Sequence, residues 1–199
     1  MKTNTLALGI AAAAMLTIGG CNKDGGQQNA QTPAAQKVAG DKTIAAGLDA
    51  NGKFLAAAKA AGLDQTLAGP GPYTVFVPTD AAIDQAADGT FATDPKNRAQ
   101  LTGALTNMIL PGTVLVADIG KAIDAGKGKA VLATMGGGTL AAAKDGDKIV
   151  LTDASGHKAT ITQGDDQFSN GVVHHVDAVL MPSKAAAADA PAVGDKAGQ

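Results

Sequence analysis

The residues that could do chemistry are few, and most lie late in the chain. His174 and His175 are adjacent, Ser169 precedes them and Asp177 follows; His157 lies further upstream, and Cys21 is the single thiol. A Ser-His-Asp relay can be drawn from Ser169, either late histidine and Asp177, with serine as nucleophile and imidazole as base. No G-x-S-x-G elbow is present to expose that serine, so Ser169 reads as a loop residue. Histidines are also metal ligands, but neighbours on a strand point to opposite faces, so His174 and His175 cannot clamp one ion. No H-x-x-x-H or C-x-x-C spacing occurs. Residues 135–139 are glycine-rich, but no Gly-Lys-Ser/Thr follows to cradle a phosphate. Asp145-Gly146-Asp147 offers calcium-type oxygens, yet no glutamate closes a twelve-residue loop. Lys121, Lys127 and Lys129 form a small basic cluster, read as solvated surface rather than as a docking site for anionic head groups. The expectation is a protein with no catalytic, cofactor-binding or metal-ligating residue, and no enzyme.

These residues need an element to hold them. Residues 170–182 read Asn-Gly-Val-Val-His-His-Val-Asp-Ala-Val-Leu-Met-Pro. Glycine near the start and proline at the end bound a β-rich apolar run, as strand punctuation requires. One face carries Val172, His174, Val176, Ala178 and Leu180, the other Val173, His175, Asp177, Val179 and Met181. Both are mainly apolar, which predicts a central strand. His174 on an apolar face reads as a core histidine whose nitrogen needs a partner, since an unpaired buried polar group costs about 1–3 kcal/mol. Thr79 or Asp80 is the expected partner. His175 is expected half-exposed beside Asp177.

The same stretch resembles the second box of the fasciclin-like (FAS1) domain, N-G-hydrophobic-hydrophobic-H-hydrophobic-hydrophobic-D-x-hydrophobic-L-x-P. Asn170, Gly171, His174, Asp177, Leu180 and Pro182 match, and His175 departs from the usual hydrophobic residue. Earlier, residues 73–83 (Tyr-Thr-Val-Phe-Val-Pro-Thr-Asp-Ala-Ala-Ile) resemble the family's first box, with Thr79 and Asp80 in its Thr-[Asn/Asp] pair and Ile83 in place of phenylalanine. Between the boxes, Pro111 and Gly112 match the family's Pro-Gly, while Asn107 and Met108 stand where tyrosine and histidine are usual. Met108 can fill space but cannot make a histidine's hydrogen bond. The resemblance covers residues 42–182. It implies a wedge-shaped β-sandwich with helices packed at its edge, and an adhesion or protein-binding role that Asn107-Met108 weakens. By the same resemblance Thr79, Asp80, Pro111, Gly112, Asn170, Gly171, His174 and Asp177 are fold-integrity residues.

The rest of the chain agrees with one domain between two tails. Near-neutral charge, formally −2, gives no electrostatic case for nucleic acid. Aromatics make up 3% of residues, with no tryptophan, so base-stacking platforms are scarce. A single cysteine excludes an internal disulfide. Residues 1–20 read as a signal peptide: Lys2, then an apolar stretch from Leu6 to Ile18 too short for a mature bilayer span. Ile18-Gly19-Gly20-Cys21 resembles a bacterial lipobox, which implies cleavage before Cys21 and acylation of its thiol and amino group. Asn22 in place of aspartate favours passage to the outer membrane. Residues 21–41 then form a polar, flexible tether and 183–199 a disordered Ala/Pro-rich tail.

Within the domain, helical periods come first: a turn at 43–48, a helix carrying Phe54, Leu55, Ala58 and Ala61 closed by Gly62, a short helix near Leu63 and Leu67, and a longer one beginning at Asp94-Pro95. Thr79 reads as an N-cap, and residues 117–125 as a helix. The period then changes to two, with strands at 130–134, 139–143, 148–152 and 158–162 separated by Gly- and Asp-rich turns. Helices followed by hairpins predict an α+β domain. Two functions are open at this stage. One is a lipid-anchored, non-enzymatic cell-envelope module binding a protein partner. The other is a periplasmic or surface carrier or sensor of a small apolar ligand, held in a cleft between helices and sheet.

Overall fold

The computed structural model describes residues 40–86 and 89–182. The signal peptide, Cys21, nearly all of the tether and the tail expected from the sequence lie outside the described residues. Three helices open the domain: α1 (Ile44–Gly47), α2 (Lys53–Ala61) and α3 (Asp64–Ala68). The periodic apolar residues of α2 bury Phe54, Leu55, Ala58 and Ala61, and Gly62 ends it in the left-handed conformation (φ 79°). Strand β1 (Tyr73–Pro78) follows, then α4 (Asp80–Gln85). A 3₁₀ turn at Pro95–Asn97 leads into α5 (Arg98–Asn107), strand β2 (Ile109–Pro111) and helix α6 (Val116–Ala125). The remainder is strand: β3 (Ala130–Ala133), β4 (Thr139–Asp145), β5 (Lys148–Thr152), β6 (Lys158–Phe168) and β7 (Gly171–Val176).

The seven strands form one order, β2-β1-β7-β6-β5-β4-β3. β1 and β7 are parallel neighbours, while the other pairs are antiparallel. The two ends of the order curl toward each other. Just after β3, Met135 N–H donates to Ile109 O of β2 at 2.7 Å, and Gly136 N–H to Thr106 O at 3.1 Å. The expected wedge is therefore a nearly closed barrel-like sheet with helices against it. The core shared by sheet and helices holds Phe76, Leu101, Leu105, Leu140, Leu151 and Leu180, all fully buried. Full burial of such a side chain stabilises by about 1.5–3 kcal/mol.

Two strand lengths differ from the sequence reading. β7 is central, as its two apolar faces predict, but it stops at Val176 instead of running to residue 182. Asp177 turns its carboxylate onto Thr160 N–H at 2.6 Å, which ends the ladder. Beyond it Val179 and Leu180 remain buried, and Met181 N–H is held by the Asp153 carboxylate at 2.7 Å. β6 in turn extends to Phe168, well past residue 162. Its polar second half hides the period, and two register shifts between Ile161 and Asp166 break the alternation.

Gly171 marks the closest approach in the sheet. A methyl group there would overlap the Tyr73 carbonyl oxygen and lie 2.9 Å from Ile44 Cδ1. Gly171→Ala is expected to pry β7 from β1 and cost about 1–3 kcal/mol, the usual penalty for overpacking. Urea denaturation of the purified domain checks this.

Candidate functional site

The two sequence boxes meet across the β1–β7 pair, where Phe76 lies opposite His174 and Tyr73 opposite Gly171. Asn170, just before β7, is buried. Its side-chain NH₂ donates to Leu67 O and Gly69 O, each at 2.8 Å, and its Oδ1 accepts from Ile44 N–H at 2.8 Å. One amide side chain thus ties α1, the end of α3 and the start of β7 together. Thr74, a β1 residue that sequence reasoning passed over, is fully buried. Its hydroxyl donates to Gly112 O at 2.8 Å and accepts from Val114 N–H at 2.9 Å. Gly112 needs a positive φ of 95° for that turn, and its N–H reaches Pro72 O at 2.9 Å. Pro111 ends β2 opposite Tyr73.

The first box closes helices. Thr79 caps α4 by accepting from Ala82 N–H at 3.2 Å, as expected. Asp80 caps a different helix in trans: its Oδ1 accepts from Lys53 N–H at 3.0 Å, at the start of α2, where Gly52 has no side chain to offer. Lys53 Nζ pairs with Asp84 on α4. Neither Thr79 nor Asp80 is the partner of His174, which corrects the sequence expectation. Both lie at the far end of β1, where α4 claims them.

His174 is fully buried. Its Nε2 lies 2.8 Å from Val114 O, and its Nδ1 accepts from Asp165 N–H at 3.0 Å. These partners select the neutral ring with its proton on Nε2. The ring stacks, tilted by 33°, on Phe76 at 5.6 Å. Burial pushes its pKa below the ordinary 6.5, against the opposing pull of the Val114 carbonyl and the Asp165 and Asp166 carboxylates. His175 is half-buried as expected, but its Nε2 pairs with Asp166 Oδ2 at 3.1 Å, not with Asp177. Asp177 is occupied by Thr160. Ser169 is exposed and its N–H bonds Lys42 O at 2.8 Å. With both ring nitrogens of His174 fixed on backbone groups, that imidazole has no lone pair free to act as a base. Among the described residues no cluster of three or more His, Cys, Asp or Glu is placed to hold a metal ion.

Asp153, another residue missed in the sequence, buries its carboxylate completely. It accepts from Ser155 N–H, His157 N–H and Met181 N–H and contacts His157 Nδ1 at 2.9 Å. An aspartate that accepts from backbone N–H groups two and four residues later forms an Asx-type turn; the reach to Met181 carried no local signal. Asn107 and Met108 are both buried. Met108 fills core space, and Asn107 Oδ1 accepts from Thr134 Oγ1 at 3.4 Å, while its Nδ2 has no hydrogen-bond partner among the described residues. Lys121 pairs with Asp118 at 3.5 Å on the exposed face of α6. Among the described residues the exposed large apolar side chains are Val131 and Met135. Among the described residues an open cleft of about 290 Å³ lies between α2, α4 and residues 89–93, lined by Lys53, Ile83, Asp84 and Phe91 among others. It is at the small end of ligand sites and lies among helices and a loop, not between helices and sheet.

A family model for the Fasciclin domain matches residues 51–182. Protein sll1483 of Synechocystis sp. is 32% identical over 179 residues, covering 88% of this chain and 90% of that protein. Transforming growth factor-beta-induced protein ig-h3 of Sus scrofa is 31% identical over 130 residues, which span 65% of this chain and only 17% of that much longer protein. Among solved structures, a FAS1 domain pair from the insect cell adhesion molecule Fasciclin I superposes with a TM-score of 0.51 at 20% identity. That match covers 64% of this chain and 44% of the other, so it concerns the fold.

Removing the His174 ring strands the Asp165 N–H and the Val114 carbonyl and opens space beside Phe76. His174→Ala is expected to cost about 3–5 kcal/mol in urea denaturation. The lowered pKa also sets a pH dependence. Below 6.5 the unfolded chain takes up a proton that the folded His174 still refuses. This group's contribution is therefore complete above 6.5 and is lost as pH falls through the lowered value. The urea midpoint is expected to fall more steeply with acid in the wild type than in His174→Gln.

Proposed function

Because this chain belongs to the fasciclin-domain family, we propose that it is a lipid-anchored, non-enzymatic binding module of the bacterial cell envelope that engages a protein partner. The observation that carries this reading is where the polar atoms of the two boxes go. Thr79, Asp80, Asn170, His174 and Asp177 all bond backbone groups of this same domain. They form a scaffold and supply no assembled nucleophile, base or ion site, which leaves recognition to the surface. The naming of the similar insect structure as a cell adhesion molecule points the same way. A Synechocystis relative similar along nearly its whole length supports a bacterial setting.

The anchor rests on Cys21 in its lipobox-like context. Acylation of both its thiol and its amino group exceeds the marginal hold of a single chain, at about 0.8 kcal/mol per buried CH₂. No described helix is long and apolar enough to cross a membrane, so the lipid would carry the attachment. Asn22 directs the reading to the outer membrane, with the domain facing the periplasm or the surface. The tether would let the domain reach a partner beyond the head groups.

The test is in-cell crosslinking of the tagged protein, with fractionation and mass spectrometry, beside a Cys21→Ser control. The wild type is expected in the outer-membrane fraction with a discrete crosslinked protein, and the control in the soluble fraction without it. A membrane-bound Cys21→Ser protein would refute the anchor. Absence of any protein adduct would refute the partner, and a co-purifying small apolar molecule would favour a carrier in its place.

A further inference from the structure

Asp165 stands between the buried histidine and the start of α6. It sits in the irregular part of β6, where the register with β7 shifts, and holds a positive φ of 64°. Its N–H donates to His174 Nδ1 at 3.0 Å. Its carboxylate Oδ1 accepts from Val116 N–H at 2.9 Å. Val116 is the first residue of α6, and the preceding Leu115 provides no side-chain cap. Asp165 is therefore a cap delivered from another strand, complementing the positive end of the helix. The same oxygen lies 3.9 Å from His174 Nδ1, about 1 Å beyond a charge-assisted hydrogen bond.

We propose that Asp165 is an acid-operated latch: when His174 takes up a proton, the Asp165 carboxylate leaves Val116 for the imidazolium, and the entrance to α6 loosens.

The geometry forces a choice. Nε2 must keep its proton for Val114 O, so the incoming proton goes to Nδ1. There it meets the Asp165 N–H, and two donors then face each other beside a fully buried ring. The carboxylate is the acceptor within reach. From β6 the charged groups facing the ring are Asp165 and Asp166; from its own strand it is His175. Asp166 is already held by Gln163 Nε2 at 3.0 Å and His175 Nε2 at 3.1 Å. From β1 the ring meets Phe76, which does not titrate. From the α6 side it meets Val114, and the first charged residue of that helix, Asp118, is exposed. A bond to an imidazolium is stronger than one to a neutral backbone N–H, so the carboxylate moves. Burial holds the ring neutral below the ordinary histidine range, so the latch stays closed at neutral pH. Val114 and Val116, which pack half-buried against the core, belong to the segment set free. Acid would thus alter one surface edge while the β1–β7 seam persists.

The test is a ¹⁵N NMR titration of the full-length chain from neutral to mildly acidic pH. His174 Nδ1 is expected to report a lone-pair acceptor at neutral pH and to protonate in one step. The Val116 amide should shift with the same midpoint, while a β1 amide such as Val75 stays put. Asp165→Asn keeps the backbone N–H and an oxygen able to cap Val116, but not the charge. In that variant the Val116 response should shrink severalfold and the His174 midpoint should fall, because a favourable negative charge has gone. The proposal is overturned by a Val116 amide that does not move as His174 titrates, by an undiminished response in Asp165→Asn, or by all amides changing together as the chain unfolds.

Discussion

Everything in this domain hangs on the parallel pairing of β1 with β7. Parallel neighbours cannot be joined by a tight turn; they need a long crossover, and here most of the domain is that crossover. The pairing brings the two sequence boxes side by side, and Asn170 locks the seam. Its amide reaches Leu67, 103 positions earlier, and Ile44, 126 positions earlier. Closing loops of that length costs entropy, so the seam needs strong local compensation. It has three short hydrogen bonds from one buried side chain and a glycine that lets two backbones touch.

The same device recurs around the sheet. A buried polar side chain takes several backbone groups from segments distant in sequence and satisfies them at once. Thr74 does this for the turn after β2, His174 for the bulge of β6 and the segment before α6, Asp153 for the β5–β6 turn and the segment after β7. Each such group would be costly if left unmet, which makes these sites intolerant of truncation. Asn107 is the exception. It occupies a position where the family usually has tyrosine, and its Nδ2 has no partner among the described residues. Fasciclin domains can evidently keep this fold while that corner varies.

Much of the architecture was legible because it is local. The α2 stripe, the Gly62 stop, the Thr79 cap and the hairpin turns around β4 and β5 follow from period and turn chemistry. The central place of β7 followed from two apolar faces. What escaped is non-local. Polar residues from Gln163 to Gln167 hid half of β6, and the register shifts there place Asp165 under His174 and Asp166 beside His175. No spacing rule anticipates that two consecutive histidines grip two consecutive aspartates across a bulge. Asp80 likewise was expected beside His174 and instead caps α2, because α2 and α4 meet at their N-termini.

The place of β7 also has a bearing on how the protein comes into being. It is an interior strand of the sheet, yet it follows all the other described strands in the chain. During synthesis the ribosome delivers β1 through β6 before the piece that joins β1 to β6 exists. Until it arrives, β1 has an open edge and Asn170 is not there to hold α1 and α3. The β1–β6 gap in the sheet is therefore filled only once the last described strand is available.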